Sequence, residues 1–316
     1  MQPAQYWKIR PELVKETEAH YRDKIVSSLA SKNSLEKVKI LTFDGVAPNI
    51  TVDAVMSLLN FVNTKLLSGV FKGTGLEVGA GCGFFSSLIV SFPKVSKMYA
   101  LEISKPIVDN LLPEIVTNFA IGNENKVIPC VGDFSFMEIA DNSVDFIFDF
   151  FSLHHSDELN QTFKEIHRVL KPEGFLVCLD KARANYLNED DLNKLLDIEY
   201  STEFKKFMSI NPNIKWTRRM NGEREFRLKD WIGYGAQAGL KLHSFVHLAR
   251  TVSGNPVFRI IKNIISKLPI SIQKILTKAI RISGKKHANQ LETKEVVFFP
   301  PLKIFSKEIS FFCFKK

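Results

Sequence analysis

The stretch Leu76-Glu77-Val78-Gly79-Ala80-Gly81-Cys82-Gly83-Phe84-Phe85 decides how this chain is read. Its first three residues form a short buried strand, three alternating glycines follow, and a helix opens near Gly83. Glycines between a strand and a helix let backbone N–H groups approach a ligand, because no Cβ intervenes and positive φ costs little. Alone, such a run also suits a nicotinamide-binding loop or a tight turn without a ligand, although the dinucleotide spacing Gly-x-Gly-x-x-Gly is absent. Working outward, acids follow at the ends of successive strands. Tyr99-Ala100-Leu101-Glu102 ends on one, and the strand Lys126 to Val131 leads into Gly132-Asp133-Phe134. Val144 to Phe148 leads into Asp149-Phe150-Phe151-Ser152-Leu153-His154-His155. Val169-Leu170-Lys171-Pro172-Glu173-Gly174 then turns a helix into the strand Phe175 to Leu179. Alternation of strand and helix implies parallel pairing with helices on both faces, and ligands of such sheets lie beyond the carboxyl ends of the strands. The marked residues all fall at those ends.

This succession resembles the class I S-adenosylmethionine-dependent methyltransferases, in the branch acting on small molecules. The likeness is close over residues 73–180 and loose over 226–250 and 292–316. It implies an α/β, Rossmann-like sheet of seven strands carrying N-terminal helices, a cap insertion and a basic helical insertion before the last strand. Residues 1–72 are then an N-terminal helical or lid region and 73–180 the cofactor-binding core. A cap follows at 181–225, the core continues over 226–250, basic amphipathic helices fill 251–291, and 292–316 supplies the last, antiparallel strand.

The resemblance also assigns roles. Gly79, Ala80, Gly81 and Gly83 expose backbone donors to the carboxylate tail of S-adenosylmethionine. Glu102, followed by Ile103, holds the ribose diol, Asp133 accepts from the adenine amino group, and Phe134 covers the ring. Glu77 and the loop at Asp149 and Phe150 lie near the methionine amino group. A hydroxyl acceptor must lose its proton during in-line attack, so a neutral imidazole near the methyl is useful. His154 is the first choice for that base and His155 the second, with a purely structural histidine as the alternative. Tyr6 and Trp7 are read either as lid residues at the substrate or as an aromatic pair anchoring a terminal helix. Arg218 and Arg219, in the cap, are further candidates for substrate contact. No close cluster of acids and histidines is apparent, so no metal is expected.

Composition narrows the setting. The 316 residues suffice for one α/β domain with additions. The cysteines Cys82, Cys130, Cys178 and Cys313 are far apart, as expected for reduced thiols in a cytoplasmic protein. The N-terminus lacks an apolar signal region and no uninterrupted apolar run is long enough to span a bilayer. Net charge is +9, concentrated in 251–291, where Arg259, Lys262, Lys267, Lys274, Lys278, Arg281, Lys285 and Lys286 meet no acid. Two amphipathic helices over 257–282 are expected either on an anionic membrane surface or packed against the protein's own core. Their charges alternate with isoleucines rather than stacking aromatics, and no base-flipping signature is present, so nucleic acid is not the expected partner. The leading function is methylation of a small molecule, foremost at oxygen of a sugar or lipid-linked saccharide. The alternatives are N- or C-methylation of another metabolite, and a non-catalytic cofactor-binding regulator; the oligomeric state is not legible.

Overall fold

The computed structural model describes residues 1–13, 26–43, 50–207, 210–248 and 309–316. Residues 14–25 and 44–49 of the expected N-terminal helical region, and the basic helices expected over 251–291, lie outside these residues. Among the described residues no helix is long and apolar enough to cross a membrane.

The core alternates as expected: β2 (Gly73–Val78), α1 (Phe84–Ile89), β3 (Val95–Glu102), β4 (Val127–Val131), β5 (Val144–Phe150), α2 (Leu159–Val169) and β6 (Leu170–Asp180). An edge strand β1 (Gln5–Tyr6) precedes them, and α3 (Leu228–Gln237), β7 (Lys241–Leu248) and β8 (Ile309–Lys315) follow the cap. The sheet order is β1-β4-β3-β2-β5-β6-β8-β7. β8 pairs antiparallel with both β6 and β7, while the other pairs are parallel. The seven expected strands are thus present, with β8 closing the sheet from the chain's end. The eighth strand, β1, is a correction: residues 1–72 are not wholly helical.

That strand also reassigns Tyr6 and Trp7. Gln5 and Tyr6 pair with Cys130 and Val131 at the sheet edge. Trp7 is buried beside Tyr99, with ring centroids 6.5 Å apart, and a Cβ on Gly132 would meet its ring at 2.8 Å. Tyr6 points outward and hydrogen-bonds Asp109. A two-residue strand carries no periodicity, so the aromatic pair alone could not announce it. A helix at Ser34–Leu41 also went unread, although its signal was present: Asn33 and Glu36 form a reciprocal capping box.

Period-two alternation along β5 explains how the sheet is held. Phe146, Phe148 and Phe150 face one apolar layer with Phe43, Phe71 and Phe85, while Ile147 faces the other with Phe163, Trp231, Phe312 and Phe314; a register shift before Phe146 puts Val144 in that second layer too. Both faces are therefore dry. The buried acids of β2, β3 and β5, Glu77, Glu102 and Asp149, lie at or next to the carboxyl ends. Strand order reverses between β2 and β5, so the loops leaving these two neighbours diverge and open a crevice.

Candidate active site

Two adjoining cavities fill that crevice and share Gly79, Ser152, His155 and Asn221. The smaller, about 130 Å³, is lined by Glu102, Ile103, Ser104, Asp133 and Phe134 among others. The larger, about 440 Å³, is lined by Glu77, Ala80, Gly81, Phe150, His154 and a cationic wall from the cap side.

The glycine loop works differently from expectation. Gly79, Gly81 and Gly83 have φ of +64°, +52° and +79°, which a β-carbon disfavours. A Cβ on Gly79 would lie 2.3 Å from that of Ser152, whereas the space over Gly81 is open. Yet the Gly81 amide donates to Glu102 Oε2 at 2.9 Å and the Gly83 amide to the Ala80 carbonyl at 2.8 Å. These donors are spent internally, so the glycines supply shape and clearance rather than a cradle of amides. Gly83 reaches neither cavity.

Glu102 is held at both oxygens, since the Ser104 amide donates to Oε1 at 3.0 Å. Each oxygen keeps a second lone pair for a ligand hydroxyl. Asp133 accepts from the Ser135 amide at 2.8 Å through Oδ1 and from Arg10 Nε at 2.7 Å through Oδ2. Arg10 also forks onto Asp157 with contacts of 3.0 and 2.8 Å, tying the N-terminal segment over the smaller cavity. Nothing in the sequence marked Arg10.

Glu77 is buried at the end of β2, where it accepts from the Ser86 amide at 2.7 Å and from the Ser86 hydroxyl. Burial pushes its carboxyl up to about 8 against the opposing Ser86 hydrogen bonds. Asp149 departs from its assignment. It is fully buried, lines neither cavity, and accepts from the Ser152 and Leu153 amides at 3.1 and 2.9 Å and from the Cys178 thiol at 2.8 Å. It braces the loop after β5, in which Phe151 holds a left-handed φ of +54°. Phe150 does line the larger cavity.

The two histidines divide their expected role. His154 Nδ1 lies 2.6 Å from Asp180 Oδ1, and its Nε2 lies 3.5 Å from Glu223 Oε2. Burial disfavours its charge, but the two carboxylates prevail and raise its pKa. A histidine held between two acids favours its protonated form, which suits His154 less well than His155 to the role of neutral base. His155 lines both cavities, and its Nδ1 lies 3.0 Å from the Gly222 carbonyl, which can only accept. The proton is therefore on Nδ1, and Nε2 is the basic nitrogen.

Other expectations also shift. Arg218 lines the larger cavity; Arg219 does not, binding Asp197 at 3.1 Å instead. The expectation that no acid–histidine cluster exists is corrected, because ligand atoms of His154, His155 and Glu223 lie within 4.8 Å of one another. Lys181 and Arg218 already bring positive charge to Glu223 there.

Residues 76–178 match a family described as the methyltransferase domain. Over these residues the chain is similar to that family. A malonyl-[acyl-carrier protein] O-methyltransferase of Coxiella burnetii is 28% identical over 138 residues, 43% of this chain and 42% of the relative. A malonyl-[acyl-carrier protein] O-methyltransferase of Methylococcus capsulatus is 29% identical over 136 residues, 41% of this chain and 47% of the relative. The chain thus spans less than half the length of these curated relatives. Its fold is similar to that of a Galdieria sulphuraria protein described as a sarcosine dimethylglycine methyltransferase, with a TM-score of 0.53 and 18% identity, covering 84% of this chain and 87% of that one. The match to the methyltransferase domain ends before Lys181, Arg183, Tyr200, Asn221 and Glu223, which complete the larger cavity. Lys181 was findable, since it follows the carboxyl end of β6. The cap residues carried no such signal.

Proposed function

We propose that this protein is an S-adenosylmethionine-dependent methyltransferase that methylates an oxygen of a small acceptor, foremost a hydroxyl of a saccharide. The observation that carries this reading is the pair of joined cavities at the β2–β5 switch point, with fixed carboxylates in one and His155 at the junction. The donor set suits the cofactor. Glu102 offers anchored oxygens for the ribose diol, Asp133 faces the adenine side with Phe134, and Glu77 stands at the methionine side. Bound there, the cofactor supplies an activated methyl group.

The protein's own residues then align, dehydrate and deprotonate. Positioning alone can supply much of the rate of an in-line displacement. His155 Nε2 takes the acceptor's hydroxyl proton, while Gly222 fixes its tautomer. The His154 clamp secures the cap segment that carries Gly222 and Glu223. Oxygen as the accepting atom gains support from the two relatives, both named O-methyltransferases. The test is incubation with S-adenosylmethionine and a panel of saccharides, uronic acids, sugar phosphates and amines, read by product mass and methyl linkage. An O-methylated product is expected; products methylated only at nitrogen would overturn the oxygen assignment.

A further inference from the structure

Three cations of the larger cavity have no part in that reading. Lys181 follows β6 directly, Arg183 lies two residues on, and Arg218 comes from the cap; all three line the cavity. Behind them sits Glu225, whose side chain is wholly buried. Its carboxylate accepts from Lys181 at 3.5 Å, from Arg183 Nη2 at 3.0 Å, and from Arg218 at closer range. Glu223 accepts from Lys181, from Arg218 at 3.3 Å and from Tyr200 at 3.3 Å.

We propose that Lys181, Arg183 and Arg218 form a recognition site for an oxyanion, a carboxylate or phosphate carried by the methyl acceptor. The inference deepens the methyltransferase reading and rests on it. Lys181, Arg183 and Arg218 line the cavity against the carboxylates of Glu223 on its wall and Glu225 behind it, three cations to two acids. Lys181 is only 8% exposed, and a partly dehydrated cation gains most from an anionic partner. Glu225 anchors the three side chains from behind, so their heads are organised before a ligand arrives. Arg218 meets both carboxylates through one nitrogen, Nη2, of a guanidinium that carries five N–H donors. Planar guanidinium groups match carboxylate and phosphate oxygens in pairs. Among the described residues, the only other acid on the cavity wall besides Glu223 is Glu77, at the cofactor end and largely uncharged at neutral pH. An ammonium-bearing acceptor would meet like charge here.

The test is calorimetric titration of the full chain loaded with S-adenosylhomocysteine, using malonate, inorganic phosphate and neutral methyl glucoside as probes. At least one anion should bind about tenfold or more tightly than the glucoside. That affinity should fall about tenfold in Arg218→Gln and in Arg183→Gln, with S-adenosylhomocysteine affinity retained. Binding of malonate alone assigns a carboxylate, and of phosphate alone a phosphate. The proposal is overturned if neither anion binds better than the glucoside, a comparison made on the unaltered protein that needs no variant to fold. It is equally overturned if both folded variants bind the anion as the parent does. Failure to bind S-adenosylhomocysteine would instead remove the methyltransferase reading, and the same anion titrations on the unloaded protein would still decide the oxyanion site.

Discussion

The two cavities share a wall at Gly79 and Ser152 but are built from different materials. The smaller takes its polar groups from strand ends and ties each to the backbone: Glu102 to Gly81 and Ser104, Asp133 to Ser135. Besides Glu77 and the histidines, the larger takes its charged groups from the end of β6 and the cap, and ties them to one another through Glu223, Glu225 and Asp180. Backbone anchoring produces fixed acceptors suited to a ligand rich in O–H and N–H donors. Side-chain anchoring produces a charged network whose composition can change with the acceptor while the sheet stays the same.

Several perturbations would sharpen or break that contrast. The largest effect is expected at the junction. His155→Ala should lower turnover on a hydroxyl acceptor by about 10²–10⁴ with cofactor affinity retained. Near-parental turnover in a folded His155→Ala would exclude a base at that position and favour an acceptor already ionised.

The network of the larger cavity is next. His154→Ala leaves Asp180, with its side chain fully buried, facing Glu223 without the cation between them. Chemical denaturation at neutral pH should show a loss of about 3–5 kcal/mol, the usual cost of breaking a buried pair. The pH dependence has a definite sign. A histidine whose pKa is raised by folding adds stability that is full below its unfolded value of 6.5 and fades as pH climbs through the folded value. Parental stability should therefore decline above neutrality, and the His154→Ala protein should lack that decline. A loss under about 1 kcal/mol would mean that the clamp contributes little.

The smallest effect concerns one proton on Glu77. Its carboxyl is raised from 4.5 to about 8, so near neutral pH it is mostly protonated in the folded protein. The methionine ammonium of the cofactor would favour its ionisation, and binding at pH 7 should release a proton to buffer. Calorimetry in buffers of different ionisation enthalpy should show that release in the parent and lose it in Glu77→Gln. Equal release by both proteins would place the ammonium elsewhere.

The contrast between the cavities also governs what could be read from the chain. β2 to β6 were legible because apolar runs alternate with helical patterns and each ends on a glycine or an acid. Glu102, Asp133 and Phe134 line the smaller cavity for that reason. The roles of the Gly81 amide and of Asp149 differ from expectation partly because each has a partner distant in sequence. Glu102 comes round to Gly81 from 21 residues away, and Cys178 reaches Asp149 from 29. His154 and His155 are adjacent, so spacing could not tell which one meets Asp180 and which one faces the cavities. The cap network was invisible for a related reason: Glu223 and Glu225 lie 42 and 44 residues from Lys181, within a stretch of mixed charge like any solvated surface.

The central claim, that the smaller cavity and its fixed carboxylates hold the adenosine part of S-adenosylmethionine, is tested most directly by calorimetric titration of the parent and of Glu102→Ala with this cofactor. The parent should bind one equivalent. Loss of charge-assisted contacts to the diol should weaken Glu102→Ala by about 1.5–3 kcal/mol, roughly 10–100-fold, with its folding transition retained. No binding by the parent, or unchanged affinity in a folded Glu102→Ala, would contradict the account.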